Sequence, residues 1–331
     1  MLLKALYVPV VFFLLSALCF GRTIEVHNTD SFYDAIYAAH KDELVDSITL
    51  EKGDYFLPFR VNIKRDNLRI IGKAGPTNTR LHGKGMSYSS SPEVLFDISG
   101  SGVHISGVTL QEVSNHLIQV RAEANADEFH LSNCVLRDAY EQLFKVSGKK
   151  DGSYSDRGII ENCIFEYSKG VGPQFYIGGI DAHRSRSWVV RNNTFRNIAS
   201  PSKKVAEHAI HFWDDSSDNI VQGNTITNCD RGIGFGLGAG GIQNFGGLIE
   251  DNLIIHTERS HNFADVGIAL ESSPATRVLN NTVLLFSKYP NAIEYRFATT
   301  QNVVISGNKV NRKIKARNGA NAQVIENIFV N

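Results

Sequence analysis

The sequence predicts an all-β solenoid, a right-handed parallel β-helix with a short N-terminal capping helix, and three observations carry that expectation. A short apolar strand marked by an Asn recurs about every 30 residues. Within each unit Val, Ile, Leu and Phe alternate with polar residues at a period of two, and the units are too short for a helical repeat. One amphipathic helix precedes the repeat and has no counterpart within it.

The elements follow in order. Residues 1–21 read MLLKALYVPVVFFLLSALCFG, one Lys and then an apolar stretch from Ala5 to Phe20 that ends among small residues. That is the layout of a signal peptide, and the stretch is short for a span of about 20 residues. Nothing later is apolar enough to span a membrane. Residues 22–331 are expected to form a single domain outside the cell or in the periplasm. Thr23–Val26 reads as a strand. Asp30–His40 reads as a helix capped by Asp30 or Ser31, with Phe32, Ala35, Ile36 and Ala39 on one face. Strands follow at Ser47–Glu51, Leu68–Ile71 and Val103–Ile105.

The repeat then takes over. Its markers are Asn133, Asn162, Asn193, Asn224, Asn252, Asn281, Asn308 and Asn327, at successive spacings of 29, 31, 31, 28, 29, 27 and 19. Gly107 marks an earlier coil. Asn suits such a position because it tolerates a left-handed turn, and stacked coils let its amides form a ladder. Cys134 and Cys163 each follow a marker, so they should stack inside as buried thiols or as a disulfide across neighbouring coils. With Cys229 they are the cysteines outside the leader, too few for a disulfide scaffold.

Composition narrows the partners. The 331 residues are 42% apolar, and 34 Lys plus Arg balance 34 Asp plus Glu. That balance gives no reason to expect nucleic acid or an acidic membrane.

One strand per coil carries the polar chemistry. With Ile118, Phe144, Ile180, Ile210, Ile233, Ile268 and Ile293 pointing inward, alternate residues form two outward columns. The first is Gln119, Lys145, Asp181, His211, Gly234, Ala269, Glu294; the second is Arg121, Ser147, His183, Trp213, Gly236, Glu271, Arg296. Neighbours in a column should lie about 5 Å apart. Two His, an Asp, a Trp and basic residues thus meet beside glycines that leave room for a bulky ligand, with Arg231 at the corner. Polar packing and solubilising charge are the plainer readings of the same residues.

The coils, and the opening strand, helix and strand-Gly-Asp-Tyr turn of residues 23–57, resemble the right-handed parallel β-helix proteins of the pectate-lyase-like superfamily. That resemblance implies a polysaccharide lyase, a uronate C5-epimerase, a glycoside hydrolase or a non-catalytic carbohydrate-binding or adhesive protein. A lyase or epimerase abstracts the proton α to a uronate carboxylate, which needs a base and a cation. Lys145, His183 or His211 suits the base, and Asp181 suits the group that orients a His. Arg121 or Arg184 suits the carboxylate, and Trp213 the sugar ring. Gly234, Gly236, Glu271, Glu294 and Arg231 complete the expected substrate groove. For a hydrolase, Asp181, Glu271 and Glu294 are the candidate acids. No cofactor is expected. Asp181, His183 and His211 look too widely spaced for a metal, while a divalent cation such as calcium stays open. The expected partner is an acidic polysaccharide or oligosaccharide.

Overall fold

The computed structural model describes residues 21–257 and 264–330. The signal-peptide reading therefore lies, apart from Gly21, outside the described residues. Three long sheets of ten, eleven and twelve strands run the length of the molecule, with a fourth of four two-residue strands. Each turn of the chain lays one strand on each long sheet, parallel to the strand of the preceding turn. This is a parallel β-helix, and the alternation in the sequence is its cause. Ile118, Phe144, Ile180, Ile210, Ile233, Ile268 and Ile293 are all fully buried and form one inward column. Like stacks on like: Phe165 and Phe195, from neighbouring coils, lie 4.6 Å apart and 9° from parallel.

The helix, Thr29–Lys41, closes the N-terminal end with the expected face, since Phe32, Ala35, Ile36 and Ala39 are its buried residues. Its cap is Asn28, two residues before Asp30 and three before Ser31, the caps expected from the sequence. The Asn28 side chain accepts from the Ser31 N–H at 2.9 Å, and Ser31 Oγ accepts from the Asn28 N–H at 3.1 Å, a reciprocal capping box. Among the described residues no helix is long and apolar enough to cross a membrane.

The Asn markers divide into two classes that the sequence merges. Asn133 and Asn162 have φ of 54° and 56°, the left-handed turn position, which Asn192, Gly223, Asp251, Asn280, Gly307 and Glu326 fill in later coils. The next residue points inward, and there Asn193, Asn224, Asn252, Asn281, Asn308 and Asn327 build the amide ladder, Nδ2 to Oδ1, at 2.9–3.0 Å. Each Oδ1 also accepts the backbone N–H of the preceding coil's residue at this position. Cys134 and Cys163 hold the ladder position in the first two Asn-marked coils, so the true step from the second to the third is 30, from Cys163 to Asn193. Both thiols are free and buried, and Cys163 Sγ accepts the Cys134 N–H at 3.4 Å.

Candidate functional site

The ten-stranded sheet carries the site on its outer face. Its register pairs Gln119 with Lys145, Lys145 with Asp181, Asp181 with His211, His211 with Gly234, Gly234 with Ala269 and Ala269 with Glu294. It also pairs Arg121 with Ser147, His183 with Trp213 and Glu271 with Arg296. The first column stands as expected, and these three pairs of the second stand with it, because a one-residue slip would turn the inward isoleucines to solvent.

Asp181 is the hub. It is 4% exposed, and Lys145 Nζ donates to its Oδ2 while the Trp213 indole N–H donates to Oδ1 at 2.6 Å. Burial pushes its carboxyl up, but His183, Lys145 and His211 outweigh burial and hold it well below the usual carboxylate range. Asp181 is therefore an ionised anchor rather than an acid. Lys145 Nζ also lies 2.9 Å from His183 Nε2. An ammonium can only donate, so this contact places the His183 lone pair on Nε2 and its proton on Nδ1, 3.7 Å from Asp214 Oδ2. Trp213 packs between the two imidazoles, 4.3 Å from the His183 ring and 5.6 Å from that of His211. His211 is buried, which lowers its pKa, and its Nε2 contacts the Gly236 carbonyl at 3.1 Å. It is thus a neutral imidazole with its proton on Nε2 and a lone pair on Nδ1.

The other expected residues have other employment. Arg121 folds back on Asp97 in a two-point ion pair at 2.8 and 2.7 Å. Arg184 sits in a left-handed turn at φ 48°, where alternation ends, and is buried against the Ser153 carbonyl and Asp215. Neither guanidinium joins Lys145 and His183. Glu271 accepts from Arg296 at 2.6 Å and from the Gly238 N–H at 2.7 Å. Glu294 accepts from Tyr289, Asn291 and Arg317. Arg231 lies 3.4 Å from Asp265.

The open glycine floor is corrected. A Cβ at Gly234 would lie 2.8 Å from the His208 ring, and one at Gly236, with φ of 80°, would lie 1.8 Å from the Glu271 carbonyl oxygen. Protein already fills both spaces. A pocket of about 320 Å³ opens instead beside Asp214, between Lys150, Gly152, Arg184, Asp215 and the Gly240–Gln243 segment. The loop that carries Lys150 and Gly152 and the glycine-rich segment 240–243 thus meet beside Asp214.

Sequence reasoning missed a third outward column. His116, Gln142 and His208 lie at strand entries, buried, just before two consecutive inward residues. Leu117 with Ile118, Leu143 with Phe144 and Ala209 with Ile210 are those inward pairs. A doubled inward step breaks the period of two, so the residue before it faces out again; the adjacent apolar residues were the available signal. Glu207, His208 and His211 bring three donor atoms within 4.8 Å of one another and could hold a metal ion. They replace the wider Asp181, His183 and His211 set.

Burial lowers the pKa of His116 from 6.5 to about 4, against a bond from its Nδ1–H to the Gln142 carbonyl at 3.0 Å. The unfolded chain therefore binds a proton between those pH values that the folded chain refuses, and stability falls as pH drops through that window. His116→Asn keeps the donor and removes the titration. From pH 7 to 4.5 the wild type should lose roughly 2–3 kcal/mol more than this variant in denaturant melts. Equal losses would show that His116 does not stay neutral in the fold.

The molecule can now be set beside known proteins. A family model described as "Right handed beta helix region" matches residues 94–242 and 178–331. Three solved structures share the fold. An alginate lyase from Paenibacillus sp. str. FPU-7 aligns with a TM-score of 0.65 and 15% identity, over 91% of this chain and 99% of that one. The Dettilon tailspike protein aligns with a TM-score of 0.52 and 13% identity, over 86% of this chain and 57% of that one. Endopolygalacturonase I from Stereum purpureum aligns with a TM-score of 0.51 and 10% identity, over 92% of this chain and 100% of that one. No curated protein matches in sequence. At such identities the likeness is one of fold, and the expected superfamily resemblance is borne out at that level.

Proposed function

The chain belongs to the right-handed β-helix family, and from that premise we propose that it acts on an acidic polysaccharide as a polysaccharide lyase or uronate C5-epimerase. The fold does not choose among activities, since it carries lyases, hydrolases and tailspikes alike. The observation that supports this reading is the half-buried contact of Lys145 with both His183 Nε2 and the ionised Asp181.

His183 Nε2 is the base and Lys145 the adjacent ammonium. The C5–H bond of a uronate breaks, its proton passes to Nε2, and the electron pair delocalises into the carboxylate. In elimination that pair then forms the C4–C5 double bond, the C4–O bond breaks, and the leaving oxygen takes a proton from Lys145. In epimerisation C5 takes a proton from water on its opposite face, and His183 returns its own proton to the hydroxide that remains. Asp181 fixes Lys145, and Asp214 faces the Nδ1–H of His183. A hydrolase is less well supported, because Glu271 and Glu294 are held by Arg296 and Arg317. A simple sugar-binding platform is less well supported too, because the Trp213 ring stacks on His211 and packs against His183. With residues 1–21 read as a signal peptide, the polymer lies outside the cell or in the periplasm.

Incubation with alginate, pectate and glycosaminoglycans tests this. Ultraviolet absorbance of unsaturated ends should rise with one polymer, or its uronate epimer ratio should change by NMR. If neither happens with any uronate polymer, the proposal is wrong, and binding without turnover would favour the adhesive alternative.

A further inference from the structure

His208 is 5% exposed, yet neither of its ring nitrogens has a hydrogen-bond partner. A buried polar group is normally paired, so an orphaned imidazole points to a missing ligand. In either tautomer a neutral imidazole carries a lone pair on one ring nitrogen, the donor a metal ion takes. The protein makes room for this ring: only a glycine at 234 lets it lie beside His211, with ring centroids 4.6 Å apart. The lone pair on His211 Nδ1 faces Glu207 Oε2 at 3.9 Å and Asp181 Oδ1 at 3.9 Å. Its other nitrogen donates to the Gly236 carbonyl, the outer contact that metal-bound imidazoles make.

We propose that Glu207, His208 and His211 bind a divalent transition-metal ion of the zinc class. Two imidazoles and a carboxylate suit zinc or its neighbours and not calcium, which takes oxygen ligands. Three protein ligands also leave a fourth position open to water or substrate. Metal–ligand bonds of about 2.0–2.1 Å need donors about 3.4 Å apart in a tetrahedron. Glu207, with its side chain 28% exposed, can close that gap by a small rotation.

The ion's place has a consequence for the site. The Asp181 strand lies between those of Lys145 and His211, so the ion stands one coil beyond Asp181. It supplies a cation on the outer face, where Arg121 and Arg184 supply none. That role as neutraliser of a uronate carboxylate rests on the proposed activity; the binding itself does not.

The test uses full-length protein without a histidine tag, stripped by chelator and titrated with Zn²⁺ and then Co²⁺. One equivalent should bind, Co²⁺ should show the intense visible spectrum of a tetrahedral site, and Ca²⁺ should not compete. His208→Ala should weaken binding by about 100-fold or more, beyond the 10–100-fold typical of outer contacts. Should that variant fail to fold, Glu207→Gln at the partly exposed edge should still weaken binding at least tenfold. No stoichiometric binding to folded wild type, or affinity unchanged in Glu207→Gln, overturns the site. Metal binding without turnover of any uronate polymer would leave the site standing and remove only its catalytic role.

Discussion

Lys145→Met is expected to lower turnover of a uronate polymer by about 10²–10⁴-fold, the range for loss of a positioned proton-transfer group. The same change strands Asp181, 4% exposed, without its cation. Breaking a buried ion pair from one side costs about 3–5 kcal/mol, so a lower melting temperature alone would explain nothing. The double variant Lys145→Met/Asp181→Asn separates the effects. Its neutral Asn side chain can still accept the Trp213 N–H, so most of the lost stability should return. Activity should not return. Turnover near that of the wild type in either variant would remove Lys145 from the chemistry.

The largest purely structural effect should come from the ladder. The Asn252 side chain donates to the Val221 carbonyl and to Asn281 Oδ1, both at 2.9 Å, and accepts two bonds from Asn224 at 3.0 Å. Asn252→Leu removes all four, leaves the Asn224 N–H buried and unpaired, and takes one bond each from the Val221 carbonyl, the Asn224 amide and Asn281 Oδ1. At about 1–3 kcal/mol for the orphaned donor and about 1 kcal/mol for each other bond, the expected loss is about 4 kcal/mol, or roughly 10 °C in melting temperature. Asp251→Asn, next door on the exposed turn, should stay within about 0.5 kcal/mol. Equal shifts in the two variants would show that the ladder contributes no more than the turn.

Much of this molecule can be read before it is seen. Alternation gives the strands, and a core column of isoleucines permits one register. That is why Lys145, Asp181, His183, His211 and Trp213 assemble as expected. What stays hidden depends on where the backbone departs from its period. Asn133 looks like Asn193 in sequence, yet one is a turn residue that tolerates positive φ and the other a buried amide. Arg184 looks like a strand residue, yet it sits where the strand has already bent. Arg121 does face outward, but a long flexible side chain finds Asp97, and sequence spacing cannot foresee that. Gly234 reads as empty space, although a histidine from the neighbouring coil fills it.

The ladder also bears on how the molecule ages chemically. Asparagine deamidates when the nitrogen of the following residue attacks its side-chain carbonyl and expels ammonia. In the ladder both partners are tied down. The carboxamides are bonded between coils, and the following nitrogens at Thr194, Thr225, Leu253, Thr282, Lys309 and Ile328 each donate to the preceding coil. The repeated residue that ought to be the chain's weak point is thereby shielded from attack. Succinimide formation is left to asparagines such as Asn318, exposed at a turn before Gly319, where the next nitrogen has no side chain to hinder it. The interior of the solenoid should outlast its surface.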